Sequence, residues 1–255
     1  MNGLGKTSPM DMLFEPGALE CVFQPVCEVA GSRPRFHYIE ALTRGPVRTN
    51  LRSAGVLFDY ARRKGRAAEI DRLCVAGALR TASRVRPTPA LGLNVHASTL
   101  ERDAAFVEFL LAGAESHGVQ TDRLTLEIVE HAPRWSGRRF KEALAALRKA
   151  GIRIALDDVG LGHSSYRLLL DCRPDYLKVD TFIVQGCHVD QGRAAVLESL
   201  VLLADRLGAR LIAEGVEDEA DLAVLKTLDI ELVQGYLLGS PMPITELERK
   251  LDAGG

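Results

Sequence analysis

Strand-like apolar runs alternate with helix-like segments from residue 90 to the C-terminal end of this chain. Short apolar runs predict strands, and apolar residues spaced by three and four predict helices. The predicted strands in this part are residues 90–95, 123–129, 153–156, 176–179, 210–213 and 231–233. The predicted helices, including two that precede residue 90, are residues 54–64, 67–83, 99–117, 137–150, 164–171, 192–207, 217–228 and 244–251. Strand–helix units repeated at this short spacing require a parallel sheet covered by helices.

The segment before the alternation adds two strands with no helix between them. Residues 20–29 and 37–43 are short and apolar, and the turn residues 31–34 separate them, so they form a hairpin or two neighbouring strands. About eight strands are then available, the number that closes a TIM-like (β/α)8 barrel. We expect a loose lead-in over residues 1–19 and one α/β barrel domain over residues 20–255, with the early pair departing from the simple repeat.

The composition is that of a globular protein and excludes several functional classes. Hydrophobic residues make up 47% of the 255 residues, and the formal net charge is −2. A nucleic-acid-binding surface needs a basic excess, so no DNA or RNA partner is expected. The basic cluster at residues 62–66 lies at the end of a predicted helix, where cations favour the helix dipole, and we interpret it as a solvated helix end. No run reaches the roughly 20 apolar residues that span a bilayer, and no signal peptide is recognisable.

The cysteines point to a reducing compartment. They are odd in number, scattered and without a CxxC pair, at positions Cys21, Cys27, Cys74, Cys172 and Cys187. This pattern favours free thiols over a disulfide framework or a zinc site. We therefore expect a cytoplasmic protein with no membrane partner.

A polar side chain follows the apolar run of seven predicted strands. These residues are Glu40, Asn94, Glu127, Asp157 with Asp158, Lys178, Glu214 and Gln234. In a barrel of parallel strands the strand ends meet on one face, where active sites of this architecture lie. The sequence therefore predicts that these side chains converge.

The adjacent acids Asp157 and Asp158 carry the sharpest chemical implication. Neighbouring strand residues point in opposite directions, so both can reach one ion only if the strand ends at Leu156. Two carboxylates repel each other unless a proton or a cation lies between them. The alternative is a helix N-cap acid with a solvated neighbour. Oxygen ligands select Mg²⁺ or Mn²⁺ over zinc, and two such ions polarise a phosphodiester and activate water.

Lys178 would then lie near that water or the phosphate. No Ser-His or Cys-His arrangement is evident, so direct attack by activated water is favoured over a covalent intermediate. A solvated or hydrogen-bonded role is expected for His131 and His163, and Glu217 could equally stabilise a helix N-terminus.

The same residues resemble the signature of a known family. Tyr38-Ile39-Glu40-Ala41-Leu42-Thr43-Arg44 is similar to the name-giving motif of EAL domains, bacterial metal-dependent phosphodiesterases of cyclic di-GMP. The resemblance extends in order and spacing over nearly the whole chain. Its other segments are Phe23-Gln24-Pro25, Leu93-Asn94-Val95, Leu126-Glu127-Ile128-Val129-Glu130, Asp157-Asp158, Leu177-Lys178-Val179-Asp180, Ala213-Glu214-Gly215-Val216-Glu217, Gln234-Gly235-Tyr236-Leu237 and Pro241-Met242-Pro243.

The resemblance implies a fold, a reaction and residue roles. The fold would be a barrel with one antiparallel strand, and the reaction would be hydrolysis of cyclic di-GMP to linear pGpG with two Mg²⁺ or Mn²⁺ ions. The implied metal ligands are Glu40, Asn94, Glu127 and Asp157 for the first ion, and Asp157 with Asp158 for the second. The implied catalytic residues are Glu40, Lys178, Glu214 and Asp158. The implied substrate contacts are Gln24, Arg44, Leu42, Asn94 and Gln234. Glu130 would steady the loop after Asp158, and a homodimer is implied.

The loop after Asp158 departs from the family sequence Asp-Asp-Phe-Gly-Thr-Gly-Tyr-Ser-Ser. Val159, Leu161 and His163 replace the phenylalanine, threonine and tyrosine. Losing the threonine hydroxyl would loosen the link between Glu130 and the loop. Thr43-Arg44-Gly45 also differs from the common Leu-Arg-Trp.

Two alternatives stay open. The departures leave open a catalytically weak or inactive receptor or protein-interaction module that keeps the fold. A barrel enzyme that acts on another phosphoester is also open, because metal chemistry alone does not specify guanine. We expect a stand-alone EAL domain, so a separate regulatory protein would have to supply any signal.

Overall fold

The computed structural model describes residues 8–129, 137–160 and 166–253. In these ranges eight strands close into a barrel in sequence order. The strands are β1 (Glu20–Glu28), β2 (Arg35–Arg44), β3 (Leu91–His96), β4 (Leu124–Val129), β5 (Arg153–Val159), β6 (Tyr176–Val179), β7 (Arg210–Ala213) and β8 (Leu232–Val233).

Helices surround the barrel. They are α1 (Pro9–Leu13), α2 (Ala54–Arg63), α3 (Ala67–Ala82), α4 (Ala97–Arg102), α5 (Phe106–Ser116), α6 (Arg138–Lys149), α7 (Tyr166–Cys172), α8 (Thr181–Val184), α9 (Gln191–Leu207), α10 (Glu219–Thr227) and α11 (Ile244–Ala253). In the described ranges no helix is both long and apolar enough to cross a membrane.

Strand direction confirms the predicted modified barrel. β1 is antiparallel to β2 and to β8, and the remaining neighbours are parallel. The cause lies in the connections, since a short turn joins only antiparallel strands and parallel neighbours need a long crossover. The link between β1 and β2 is such a turn. β8 is the shortest strand, and two register pairs join it to each of its neighbours.

The inner face of the barrel contains an apolar layer. Positions closer to the C-terminal ends of the parallel strands lie above this layer. Six buried side chains form it, namely Val26, Tyr38, Ala155, Tyr176, Ile212 and Leu232. The intervening strand residues, such as Ile39 and Leu177, pack outward in the main core beneath the helices. Because strand side chains alternate between faces, the residue two positions farther along each strand also points inward, one layer higher.

Residues 8–19, the described part of the predicted lead-in, contain a short helix. Ser8 caps α1, and Met10 and Leu13 are buried in a cluster with Leu57 and Ile70. The expectation of looseness was wrong for α1, because these two apolar side chains pack against residues of α2 and α3.

Apart from α1 and from shifts of one or two residues at helix ends, the helices differ from the predictions at two places. The helix predicted over residues 99–117 is divided into α4 and α5, because Asp103 leaves the helix to accept two hydrogen bonds from Arg72 at 2.6 and 2.8 Å. The short helix α8 was not predicted.

The basic cluster lies at the end of α2, as expected. Arg62 and Arg63 pair with Asp59, and Arg66 pairs with Glu69. These two acids offset part of the positive charge of the cluster.

Candidate active site

A polar layer lies directly above the apolar layer of the barrel. In β2, β5 and β6 the layer residues Tyr38, Ala155 and Tyr176 are each followed two positions later by Glu40, Asp157 and Lys178. The same step leads to Glu214 and Gln234 after β7 and β8. Gln24 precedes its layer residue, Val26, because β1 runs in the opposite direction.

The sequence predicted that each of these polar side chains follows the end of a strand. This prediction is wrong for several of them. Glu40, Asn94, Glu127 and Lys178 lie within β2, β3, β4 and β6. They reach a common site because of their inward register. Glu214 and Gln234 do follow the last residue of their strands.

Lys178 is the hub of the layer. Its side chain is 1% exposed, and its Nζ lies 3.1 Å from Glu40 Oε2 and 2.6 Å from Glu127 Oε2. The same nitrogen lies 3.3 Å from Asp157 Oδ1 and 2.8 Å from Glu214 Oε1. Four carboxylates, three within β2, β4 and β5 and one directly after β7, thus surround one ammonium group.

Amide side chains hold Glu40 in place. Asn94 Nδ2 donates to Glu40 Oε1 at 2.6 Å, and Gln234 Nε2 donates to Glu40 Oε2 at 2.7 Å. Gln234 Nε2 also approaches Gln24 Oε1 at 3.3 Å, while Gln24 Nε2 donates to the Gly239 carbonyl at 3.0 Å. The predicted residues of β1, β2, β3 and β8 therefore belong to one network.

A β-bulge, rather than the end of the strand, brings the adjacent acids together. β5 continues through Val159, and its register with β6 shifts between Leu156 and Val159. Asp158 has φ of 54° at this point, in the left-handed region. A bulge re-aims a side chain without ending the strand, so the expectation that the strand ends at Leu156 was wrong. Ligand atoms of Asp157, Asp158 and Glu214 lie within 4.8 Å of one another.

Gly92 makes room for Glu127, and sequence reasoning missed it. A β-carbon on Gly92 would overlap Glu127 Oε1 and lie 2.7 Å from Tyr38 Cε2. Glu127 is fully buried. The available signal was a glycine inside a predicted strand, which marks a close approach of another group.

Burial and mutual repulsion shift the protonation of the acids. Burial, followed by repulsion from Glu40, raises the pKa of Glu127 to about 8. Burial, followed by repulsion from Asp157, raises the pKa of Asp158 to about 6, and burial raises the pKa of Glu214 well above its usual value. Burial opposes ionisation of Glu40, but Lys178 and the amide donors outweigh it and lower its pKa.

The pKa of Lys178 lies well above its ordinary value. Burial opposes its charge, but the surrounding carboxylates, beginning with Asp157, outweigh burial. One lysine does not offset all of the acids, so the layer favours additional positive charge.

The donor set fits divalent cations. It consists of carboxylate and amide oxygens, which Mg²⁺ and Mn²⁺ prefer. In the described chain the buried Gln234 Oε1 accepts no hydrogen bond. Such an oxygen is available to a ligand or a water molecule bound at the site.

Two cavities flank the acids. One, of about 230 Å³, is lined by Leu42, Phe58, Asp71, His96 and the acids themselves, among others. The other, of about 320 Å³, is lined among others by Gln24, Lys178, Thr181, Glu217 and Tyr236. The sequence did not point to Phe58, Asp71, His96 or Thr181, because no strand end or motif rule singles them out. Tyr236 lies in a segment that carries the family resemblance, but no role was predicted for it.

The remaining predicted residues are placed less centrally or lie outside the description. Leu42 lines both cavities. Arg44 lines neither, and its Nη1 donates to the Thr43 carbonyl at 3.1 Å. Val159 is buried and pairs with Val179 of β6. Four residues considered from the sequence lie outside the described ranges, namely Glu130, His131, Leu161 and His163.

The chain is similar in sequence to known proteins. A family model described as the EAL domain matches residues 10–241. The cyclic di-GMP phosphodiesterase NbdA of Pseudomonas aeruginosa is 30% identical over 240 residues, which is 92% of this chain and 30% of NbdA. The chain thus spans less than a third of that relative.

Solved structures show the same fold. A standalone versatile EAL protein from Vibrio cholerae O395, in its c-di-GMP bound form, is 26% identical with a TM-score of 0.77, over 88% of this chain and 92% of that one. The manganese and cy-diGMP complex of Klebsiella pneumoniae BlrP1 is 29% identical with a TM-score of 0.78, over 89% and 57% of the respective chains. With the family model covering most of its length, the chain belongs to the EAL domain family.

Proposed function

We propose that this chain is a phosphodiesterase that hydrolyses cyclic di-GMP to linear pGpG. The observation that carries the proposal is the convergence of Glu40, Glu127, Asp157 and Glu214 on Lys178, within 3.3 Å of its Nζ. The named activity of NbdA and the ligands of the two solved relatives support the choice of substrate.

The metal centre would hold two Mg²⁺ or Mn²⁺ ions. Glu40, Asn94, Glu127 and Asp157 would bind the first, and Asp157 and Asp158, with Glu214 beside them, would bind the second. When bound, a divalent pair polarises the phosphodiester and lowers the pKa of an attacking water. The proximity of Asp157, Asp158 and Glu214 supports the second position.

The other groups of the polar layer would orient the reactants. The Lys178 ammonium lies among four carboxylates. With those carboxylates bound to the metal ions, it would face the phosphate or the attacking water. Gln234 would keep Glu40 oriented through its amide nitrogen and leave its oxygen for water or substrate. Asn94 would fix the other oxygen of Glu40.

The substrate would lie across the acids with one base on each side. The cavity beside Phe58 is mainly apolar and contains the buried polar pair Asp71 and His96, joined at 2.9 Å. The second cavity exposes Tyr236 at its rim, with 65% of the residue accessible. Leu42 would contact the nucleotide between them. Arg44 would have to leave the Thr43 carbonyl to reach a phosphate.

Hydrolysis assays test the proposal. The purified chain with MgCl₂ or MnCl₂ should convert cyclic di-GMP to pGpG, and chromatography measures the conversion. Glu40→Ala and Asp157→Asn should each abolish pGpG formation, because each removes a carboxylate that the metal centre shares. Glu246→Ala, on the outer helix α11, is the matched control and should retain activity.

If the wild-type chain forms no pGpG with either metal at any pH from 6 to 9, the proposed phosphodiesterase activity is contradicted. Calorimetric binding of cyclic di-GMP without cleavage would then identify a receptor. Cleavage of other phosphodiesters but not of cyclic di-GMP would identify a different substrate.

We further propose a homodimer in a reducing, cytoplasmic setting. The five cysteines are free thiols, which fits that compartment. Tyr166 and Leu170, four residues apart on α7, expose apolar side chains that a second copy would cover. Sedimentation analysis should give a dimer that Leu170→Glu dissociates. A monomeric wild type at micromolar concentration would contradict the assembly, and a regulatory protein would then be sought for the same surface.

A further inference from the structure

The short helix α8 touches the backbone beside one acid of the site, Glu214. Gly215 follows Glu214 in the left-handed region, with φ of 68°. A β-carbon on Gly215 would overlap Thr181 of α8, with Thr181 Cβ at 2.8 Å. Gln185, the C-cap residue directly after α8, donates from Nε2 to the Gly215 carbonyl at 3.0 Å.

The same helix touches the backbone beside a second acid, Asp158. Gly160 lies two residues after Asp158 and has φ of 107°. A β-carbon on Gly160 would overlap Ile183 of α8. The Asp180 amide, at the start of α8, donates to the Val159 carbonyl at 3.3 Å. One helical turn therefore packs against the bulge of β5 and against the residue that follows Glu214.

α8 is itself held at both ends. The Asp180 carboxylate caps it, accepting from the Phe182 amide at 2.6 Å. At the other end Arg193 of α9 donates to the Gln185 carbonyl at 2.6 Å and also to the Phe182 carbonyl. The Arg193 guanidinium stacks over the Phe182 ring at 4.8 Å. These contacts make α8 a fixed support, although four residues would be marginal as an isolated helix.

We propose that Gln185 is a positioning residue. By holding Gly215 against α8, it sets the spacing between Asp158 and Glu214 for a divalent cation. This inference rests on the metal centre proposed above. Asp158 and Glu214 come from strands that are not neighbours, since β6 lies between β5 and β7. The β6–α8 segment is continuous with the intervening strand and contacts both loops. Gln185 lies outside both cavity linings, so it acts through Gly215 rather than on the substrate.

A purely structural role makes a different prediction. If Gln185 only stabilises the fold, its removal lowers the melting temperature and leaves the metal affinity of the folded protein unchanged. If it sets the position of Glu214, the affinity falls while the fold persists. Groups that orient metal ligands typically change metal affinity by about 10- to 100-fold when they are removed.

The test is calorimetric titration of the metal-free full chain with MnCl₂ alone. Gln185→Ala removes the donor, and Gln185→Glu keeps the shape but places an acceptor against the Gly215 carbonyl. We expect both to weaken Mn²⁺ binding by about 10-fold or more. In hydrolysis assays at fixed Mn²⁺, kcat should fall more than KM rises. The matched control is Gln191→Ala, an exposed glutamine at the start of α9, which should bind Mn²⁺ as the wild type does.

Folded Gln185→Ala and Gln185→Glu proteins that bind Mn²⁺ within twofold of wild type would overturn the inference. Far-ultraviolet circular dichroism with EDTA establishes that each variant is folded. A wild type that binds Mn²⁺ but leaves cyclic di-GMP intact would overturn the proposed reaction alone, and the variant affinities would still decide the role of Gln185. A wild type that binds no Mn²⁺ would overturn both.

Discussion

At the scale of single residues, the site depends as much on small side chains as on charged ones. Glu127 occupies space that any residue larger than glycine would take at position 92. Asp158 reaches Asp157 and Glu214 only through a backbone conformation that most residues disfavour. The acids could be predicted from residue type, whereas the conditions that let them meet depend on neighbours across the sheet.

Gly92→Ala should disable the site without unfolding the barrel. The added methyl group would displace the Glu127 carboxylate and press on Tyr38, so we expect a loss of kcat of about 100-fold or more. Hydrolysis of cyclic di-GMP and Mn²⁺ titration measure it. Gly77→Ala, in α3, is the matched control, because a β-carbon there has no neighbour within 4 Å. Wild-type activity in Gly92→Ala would show that Glu127 can move without consequence.

The backbone of Asp158 can be tested separately from its charge. Asp158→Gly and Asp158→Ala both remove the carboxylate, but only glycine adopts φ of 54° without steric cost. We expect Asp158→Gly to be more stable than Asp158→Ala by about 1 kcal/mol. Urea unfolding in EDTA measures the difference. Equal stabilities would mean that the bulge relaxes once the acid is gone.

At the scale of elements, the strand–helix alternation was sufficient to predict the barrel and most of its helices. The sequence also indicated that the first strand pair departs from the repeat, because no helix fits between its members, but it left a hairpin or two neighbouring strands open. The single antiparallel strand was implied by the family resemblance. Elements set by tertiary contacts could not be predicted. The break between α4 and α5 depends on Arg72 from another helix. α8 has four residues, too few to show the apolar spacing from which a helix is predicted.

The polar layer shows the same limit. Residue type identified Glu40, Lys178 and Gln234, yet the expectation that such residues follow their strands held only for part of the set. Inward register, set by the apolar layer two residues away, places the others. Arg44 shows the converse, since a matching motif position did not bring its side chain to the cavities.

The break after α4 can be tested at this scale. Asp103→Ala removes the bidentate partner of Arg72 and the acceptor of the Ala105 amide. We expect a loss of about 1–3 kcal/mol in the free energy of unfolding. Hydrolysis should be unchanged, because neither Arg72 nor Asp103 lines a cavity of the site. Denaturant unfolding and activity measure the two. A loss of activity in the folded variant would show coupling of this turn to the site.

At the scale of the whole molecule, the acidic layer links stability to pH and to metal. Glu127 and Asp158 have folded-state pKa values of about 8 and about 6, above their unfolded values near 4.5 and 3.8. At pH values between its unfolded and folded pKa, each of these acids binds more protons in the folded state than in the unfolded state. The free energy of unfolding therefore falls as pH rises through this range. Divalent cations would compensate by pairing with the ionised acids.

In EDTA, the melting temperature should therefore decrease from pH 5.5 to pH 8, by about 5 °C or more. Saturating MgCl₂ should raise it, most strongly at pH 8. Differential scanning fluorimetry over this pH range measures both effects. A melting temperature in EDTA that is flat or rises with pH would contradict the assigned protonation, and Glu127→Gln should flatten the slope.

The brevity of β8 implies an uneven distribution of local opening around the barrel. Two register pairs hold it on each side, whereas six join β3 to β4. Transient separation along this seam would carry Gln24 and Gln234 apart while the opposite wall stays closed. Amide hydrogen exchange should therefore be faster in β8 than in β3 and β4, and a ligand that bridges the two glutamines should slow it, giving a report of occupancy that needs no turnover.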